Sequence, residues 1–287
     1  MDFRNLSIKE LEENFNPRES VPNFDSYLST TLVKSQKAKK LLIGHENIEY
    51  GNGKLQTLDI YGIKSAKLKP IHIFIHGGYW RALDKSYHNH MAIPFNKNNI
   101  IFSNINYDLC PTVSLQIICE QVIEAIIWIF NNCEIYGADK NCITISGHSA
   151  GAHLVSYILS LDWRKYNLPY NLFKGAALVS GIYDLEIVRK LTVNDDVKLN
   201  AIDAKNLTTI NKLPFYKIPI IISYGEDEPL GWKDQSIKYE KFLKKNNFNI
   251  DLILCKKNNH FTLIDTLALE ESHLCKKVIN LSNISNE

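Results

Sequence analysis

The chain has 287 residues, enough for one large domain or two ordinary ones, and a chain of this size buries roughly three quarters of its unfolded surface. Hydrophobic residues make up 45% and charged residues 22%, ordinary globular values that argue against disorder along the whole length. A formal net charge of +2 without a compact Lys/Arg run among aromatics argues against nucleic acid as a partner, and no segment reaches the roughly 18 apolar residues of a membrane span.

The chain opens on two polar, helix-patterned pieces, "SIKELEENF" and "FDSYLSTTLVKSQKAKKLL", separated by "NPRESVPN". Acidic residues run through the first stretch, and it lacks the apolar core of a signal peptide, which points to the cytoplasm. Residues 1–44 are expected to form a helical arm or cap, and residues 45–287 the body. From residue 45 the pattern turns to alternation and short β-branched runs, "NIEYG", "LQTLDIYGI" and "PIHIFIHGG", which read as strands.

Alternation of helix and strand follows: a helix-like "KSYHNHMAIPFNKN", a strand "IIFSNINYDL", a long helix "SLQIICEQVIEAIIWIFNNC", a strand "CITISG", a helix "AGAHLVSYILSL" and a strand "KGAALVSGIYDL". Residues 185–215 break the rhythm, being polar and weakly periodic, and fit either a roof over a site or a long helical connection. The rhythm resumes with strand "IPIIISYG", helix "KDQSIKYEKFLKKNN", strand "IDLILCK" and a last helix "LIDTLALEESHLCKKVINL". This order predicts an α/β fold with right-handed crossovers, a mainly parallel central sheet and helices on both faces. The six cysteines (Cys110, Cys119, Cys133, Cys142, Cys255, Cys275) form no C-x-x-C pair and read as free thiols.

In such a sheet the reacting groups gather at the carboxyl ends of strands. Four ends carry chemistry: His76-Gly77-Gly78-Tyr79-Trp80, Gly147-His148-Ser149-Ala150-Gly151, Gly225-Glu226-Asp227-Glu228-Pro229 and Asn258-Asn259-His260-Phe261. The second is a G-x-S-x-G nucleophile elbow, whose small flanking residues make room for a sharp strand-to-helix turn. Ser149 is the expected nucleophile, at a helix N-terminus that favours developing negative charge. A hydroxyl needs a base, usually a histidine steered by a carboxylate, and in this arrangement the order is Ser, acid, His.

His260 satisfies that order. His72 lies in a strand, His148 in the elbow, His153 and His273 in helices, while His45, His88 and His90 precede the serine. His88 and His90 stand two apart on a helix-like piece and point to different faces, so no metal site is read from them. Glu226, Asp227 and Glu228 are all candidates for the acid, and spacing from the strand does not choose among them. Glycines at 77 and 78 let bare backbone face a developing oxyanion, so this loop with Tyr79 is expected to present N–H groups alongside that of Ala150. His76 reads as a pin for the loop.

With H-G-G-Y-W, G-H-S-A-G-A-H-L, S-G-I-Y-D-L and N-H-F in place, the chain resembles the kynurenine formamidases (arylformamidases) and related esterases of the α/β-hydrolase superfamily, over roughly residues 45–280. The resemblance implies Ser149 as nucleophile, His260 as base, Glu228 as acid, and Gly78, Tyr79 and Ala150 as the oxyanion hole. Glu228 is favoured over Asp227 by counting from Gly225 and from the Gln235-Ser236 pair. It implies hydrolysis of N-formylkynurenine, a step of tryptophan catabolism, with no cofactor and no metal; the alternative is a carboxylesterase acting on short acyl esters with the same triad. Tyr79, Trp80 and Tyr183 are expected to offer aromatic surface to the substrate ring, although Trp80 fits a core position equally well. Gly231-Trp232 departs from the family, which carries an acidic residue and phenylalanine there. A small-molecule substrate is the expected partner, and a homodimer is compatible with the sequence.

Overall fold

The computed structural model describes residues 3–283. The arm contributes α1 (Ile8–Phe15) and α2 (Phe24–Lys39). Ser7 starts α1 through a capping box with Glu10, and Asn23 caps α2 by accepting from the Ser26 N–H. The body follows with β1 (Gly44–Glu49), β2 (Thr57–Tyr61), β3 (Lys69–Ile75), α3 (Ala92–Lys97), β4 (Ile101–Ile105), α4 (Leu115–Asn132), β5 (Ala138–His148), α5 (Ala150–Leu159) and β6 (Phe173–Val179). Short helices α6 (Leu185–Val188), α7 (Asn194–Val197) and α8 (Ala201–Leu207) fill the segment whose periodicity is weak. β7 (Ile220–Gly225), α9 (Leu230–Lys245), β8 (Ile250–Cys255) and α10 (His273–Ser282) complete the chain.

The eight strands form one sheet in the order β1-β2-β4-β3-β5-β6-β7-β8. β1–β2 and β2–β4 are antiparallel and the other five pairings parallel, which is the mainly parallel sheet expected. Strand alternation sorts the core onto two faces. Ile71, Ile73 and Ile75 of β3 join one apolar cluster with residues of α4, α5 and α9, while Phe74 joins the other with residues of α3 and α10. Helices therefore cover both faces. His72, also on the second face, is a core residue: its ring nitrogens lie 2.9 Å from Thr144 Oγ1 and 2.7 Å from Ser146 Oγ, and it stacks on Phe95.

Two boundaries differ from expectation. The helix-like segment over 85–98 is two 3-10 turns followed by α3, and the last helix-like run breaks into a 3-10 turn (Ile264–Leu267) and α10. Ser272 starts α10 afresh by accepting from the Cys275 N–H, a side-chain cap that interrupts an otherwise continuous apolar pattern. The arm packs α1 on α9 and ties to the body through Arg4–Asp184 (2.8 Å) and Lys34–Asp265 (2.5 Å).

Candidate active site

β5 runs directly into α5 through Ser149, which sits at φ 56°, ψ −119°, a conformation that L-residues seldom hold. The bend brings strand and helix into contact: a Cβ on Gly147 would fall 2.4 Å from the Gly151 carbonyl carbon, so a side chain is excluded there. The Ser149 N–H donates to the Val179 carbonyl of β6 (2.9 Å), fixing the turn against the neighbouring strand. Its hydroxyl lies 3.0 Å from His260 Nε2, and His260 Nδ1–H donates to Glu228 Oε1 at 2.6 Å. All three side chains are buried.

Glu226, Asp227 and Glu228 divide by direction. Glu226 and Asp227 face solvent, and Glu226 Oε2 accepts from the Lys257 N–H (3.0 Å). Only Glu228 turns inward, where its Oε2 accepts from the Gly225 N–H at 2.7 Å. Ser180, just past the end of β6, is a further polar residue of the site. Its hydroxyl donates to Glu228 Oε1, and its Oγ lies 3.0 Å from His260 Nδ1. It takes a positive φ of 46°, which turns its side chain across the strand ends towards both partners. A serine at a strand end beside "GIYDL" was the available signal.

The loop after β3 bends over the elbow. Gly77 is held so close that a Cβ would lie 2.8 Å from the His148 carbonyl oxygen and 3.0 Å from Ser149 Cβ. Gly78 sits at φ 106° and Tyr79 at φ 49°. The N–H groups of Gly78, Tyr79 and Ala150 donate to no other group among the described residues, and the first two residues line the cavity above Ser149. His76 stands beneath this loop: Nδ1–H donates to the Gly77 carbonyl (2.8 Å), Nε2 lies 3.0 Å from Asn106 Oδ1, and the ring stacks on Tyr107. Burial lowers its proton affinity, and it makes no contact with Ser149 of the kind a base requires. His148 Nε2–H donates to the His260 carbonyl (3.0 Å), anchoring the histidine loop, and burial followed by the nearby His260 holds its pKa well below the usual histidine value.

The cavity has a volume of about 180 Å³ and exposes Ser149 and His260 at its base. Further wall residues come from the arm (Phe15, Phe24, Leu28) and, within the weakly periodic stretch over 185–215, from Leu191 and Val193 between α6 and α7. Trp80 and Tyr183 are not part of the lining, which corrects the expectation for both. Trp80 is fully buried, edge-on to His153 and Tyr79, because its positive φ of 56° turns the ring into the core. Tyr183 packs on Tyr239 in the core beside α9. Of the three expected aromatics only Tyr79 faces the cavity, joined there by Phe15, Phe24 and Phe261.

The Gly231-Trp232 departure has a structural reading. Trp232 packs its ring 4.2 Å from that of His260 and behind Tyr79, outside the cavity lining. Gly231 lies so near α1 that a Cβ would meet the Asn14 carbonyl at 2.6 Å and the Phe15 ring at 2.6 Å. A larger residue there would push the arm off the body.

The BD-FAE family model matches residues 58–175. The chain is 27% identical to a kynurenine formamidase of Salmo salar, over 97% of this chain and 98% of that protein, and 26% identical to one of Danio rerio, over 97% of each. Among solved structures, the hyperthermophilic esterase of the archaeon Pyrobaculum calidifontis superposes with a TM-score of 0.68 at 16% identity, covering 90% of each chain. The chain has the α/β-hydrolase fold and is similar over nearly its whole length to kynurenine formamidases. The likeness to both formamidases spans the arm as well as the hydrolase body, whereas the family model covers only the middle of the sheet. Among the described residues no helix is long and apolar enough to cross a membrane.

Proposed function

We propose that this α/β-hydrolase is an arylformamidase that hydrolyses N-formylkynurenine to kynurenine and formate. The observation that carries the reading is the unbroken line Glu228–His260–Ser149, with contacts of 2.6 and 3.0 Å, ending at the base of a cavity walled by aromatic residues of the arm.

Each group then has one task. His260 Nε2 takes the Ser149 proton as Oγ bonds to the formyl carbon. Carbonyl electrons move onto oxygen, and the anion is held by the N–H groups of Gly78, Tyr79 and Ala150, each worth roughly 3–4 kcal/mol of barrier. Glu228 stays ionised and stabilises the imidazolium. The tetrahedral species collapses: the C–N bond breaks, its electron pair stays on the aryl nitrogen, and His260 gives that nitrogen its proton. Water then attacks the formyl ester while His260 accepts its proton. The same histidine returns a proton to Ser149 Oγ as formate leaves.

Formate release from N-formylkynurenine by the purified protein, absent in Ser149→Ala, is the expected result. Brisk cleavage of short acyl esters with no formate from N-formylkynurenine would overturn it and favour the carboxylesterase with the same machinery.

A further inference from the structure

The cavity wall is apolar over Phe15, Phe24, Leu28, Leu83, Leu191 and Phe261, and three charged side chains interrupt it, Glu12, Arg18 and Arg81. Two of these are already engaged. Arg81 pairs with Asp196 at 2.6 Å, and Glu12 Oε1 accepts from the Thr192 N–H at 2.6 Å. Arg18 differs: its guanidinium reaches no carboxylate within ion-pair distance among the described residues, and it rests over the Phe24 ring with the guanidinium carbon 4.4 Å from the centroid. A stacked guanidinium keeps its in-plane N–H groups free for a planar anion while the ring holds its orientation. Burial lowers the proton affinity of the Arg18 guanidinium and the nearby Arg81 lowers it further, while Asp25 acts in the opposite sense.

We infer that Arg18 is a specificity residue that binds a carboxylate on the leaving-group side of the substrate, so that the enzyme prefers formamides whose arylamine carries a carboxylate over those without one. This rests on the arylformamidase reading, in which the substrate is an amino acid whose α-carboxylate lies beyond the ring. The carboxylate pairs with the Arg18 guanidinium, bidentate in the usual fork geometry, and Arg81 adds longer-range attraction. Arg18 belongs to the arm, in the link between α1 and α2, far in sequence from Ser149, Glu228 and His260.

The test compares N-formyl-L-kynurenine with formanilide, which has the same scissile bond and no carboxylate, in wild type, Arg18→Gln, Arg18→Lys and Arg18→Glu. Because Arg18 is solvent-exposed, the expected effect is modest: the ratio of kcat/KM for N-formyl-L-kynurenine over formanilide falls on the order of 10-fold in Arg18→Gln, mostly through KM. Arg18→Lys restores part of that ratio and Arg18→Glu lowers it further. An unchanged ratio in all three variants, with wild type active on N-formyl-L-kynurenine, overturns the assignment of Arg18 alone. A wild type inactive on N-formyl-L-kynurenine overturns the arylformamidase reading and this inference with it.

Discussion

Exchanging Glu228 for glutamine alters neither size nor shape, yet it is expected to lower kcat by about 1,000- to 10,000-fold, which is about 4–5 kcal/mol of barrier. The reason lies in the donors around that side chain. Glu228 Oε1 accepts from His260 Nδ1–H (2.6 Å) and from the Ser180 hydroxyl, while Oε2 accepts from the Gly225 N–H (2.7 Å). Three donors converge on the carboxylate, which suits a group that only accepts. Glutamine brings two N–H bonds of its own. With its oxygen on Gly225, its amide nitrogen faces His260 Nδ1, which must then accept, and the ring proton moves to Nε2. That proton points at Ser149 Oγ, 3.0 Å away, where the lone pair of the base is required. Turned over, the amide meets the Gly225 N–H head-on and leaves a buried donor unsatisfied, a penalty of about 1–3 kcal/mol. The backbone of Gly225 thereby selects the unproductive tautomer.

The assay is formate release at saturating substrate, with active sites counted by a fluorophosphonate titration and folding checked by thermal unfolding. Asp227→Asn, at an exposed position, is expected to change kcat by less than about twofold. If Glu228→Gln keeps more than about a tenth of the wild-type kcat, or if Asp227→Asn is the more damaging change, the assignment of the acid is refuted.

Ser180→Ala removes one donor from the Glu228 carboxylate and is expected to lower kcat about tenfold with little change in KM; an unaltered kcat would reduce Ser180 to a space-filling role. Gly77→Ala puts a methyl group 2.8 Å from the His148 carbonyl oxygen, displacing the loop that carries the Gly78 and Tyr79 N–H groups, and should lose about 100-fold in kcat; full activity would show that this loop does not hold the oxyanion. Acid stability follows from buried histidines, since burial lowers the pKa of His72 to about 3 and that of His153 to about 4. Their folded forms stay neutral while the unfolded chain takes up protons below its ordinary value near 6.5, so stability falls as pH drops from about 6.5 towards 4 and 3, at up to about 1 kcal/mol per pH unit for each histidine. Urea unfolding midpoints at pH 7.5 and 5.0 measure this, and equal midpoints would contradict it.

What was legible in the sequence was what the backbone demands locally. The elbow and the Gly77-Gly78 turn each require small residues at fixed offsets, because strand, helix and loop approach within contact distance there, and such requirements leave a short readable pattern. The acid was less legible because three carboxylates follow one strand, and the choice among them depends on which side chain turns inward. Ser180 was illegible for a related reason: its partners stand 48 and 80 positions away in the chain, on two other loops. Trp80 and Tyr183 stood next to catalytic motifs and have the chemistry to hold a ring. A positive φ in one case and packing on Tyr239 in the other send both rings into the core.

The cavity wall was the least legible part, and the arm explains why. α1 has eight residues, too few to be stable as an isolated helix, so its order depends on docking. The docking contacts are specific: the Tyr79 hydroxyl donates to the Phe15 carbonyl at 2.5 Å, Glu12 accepts from the Thr192 N–H, and Gly231 leaves room for Asn14 and Phe15. Tyr79 thus holds the arm with its side chain while its backbone belongs to the loop proposed to face the oxyanion. A change that loosens the arm should act on both substrate fit and the oxyanion loop, although no arm residue touches the reacting atoms. The motifs at the strand ends are short and local, whereas much of the cavity wall comes from a polar helical segment whose pattern reveals a helix but not the surface it covers.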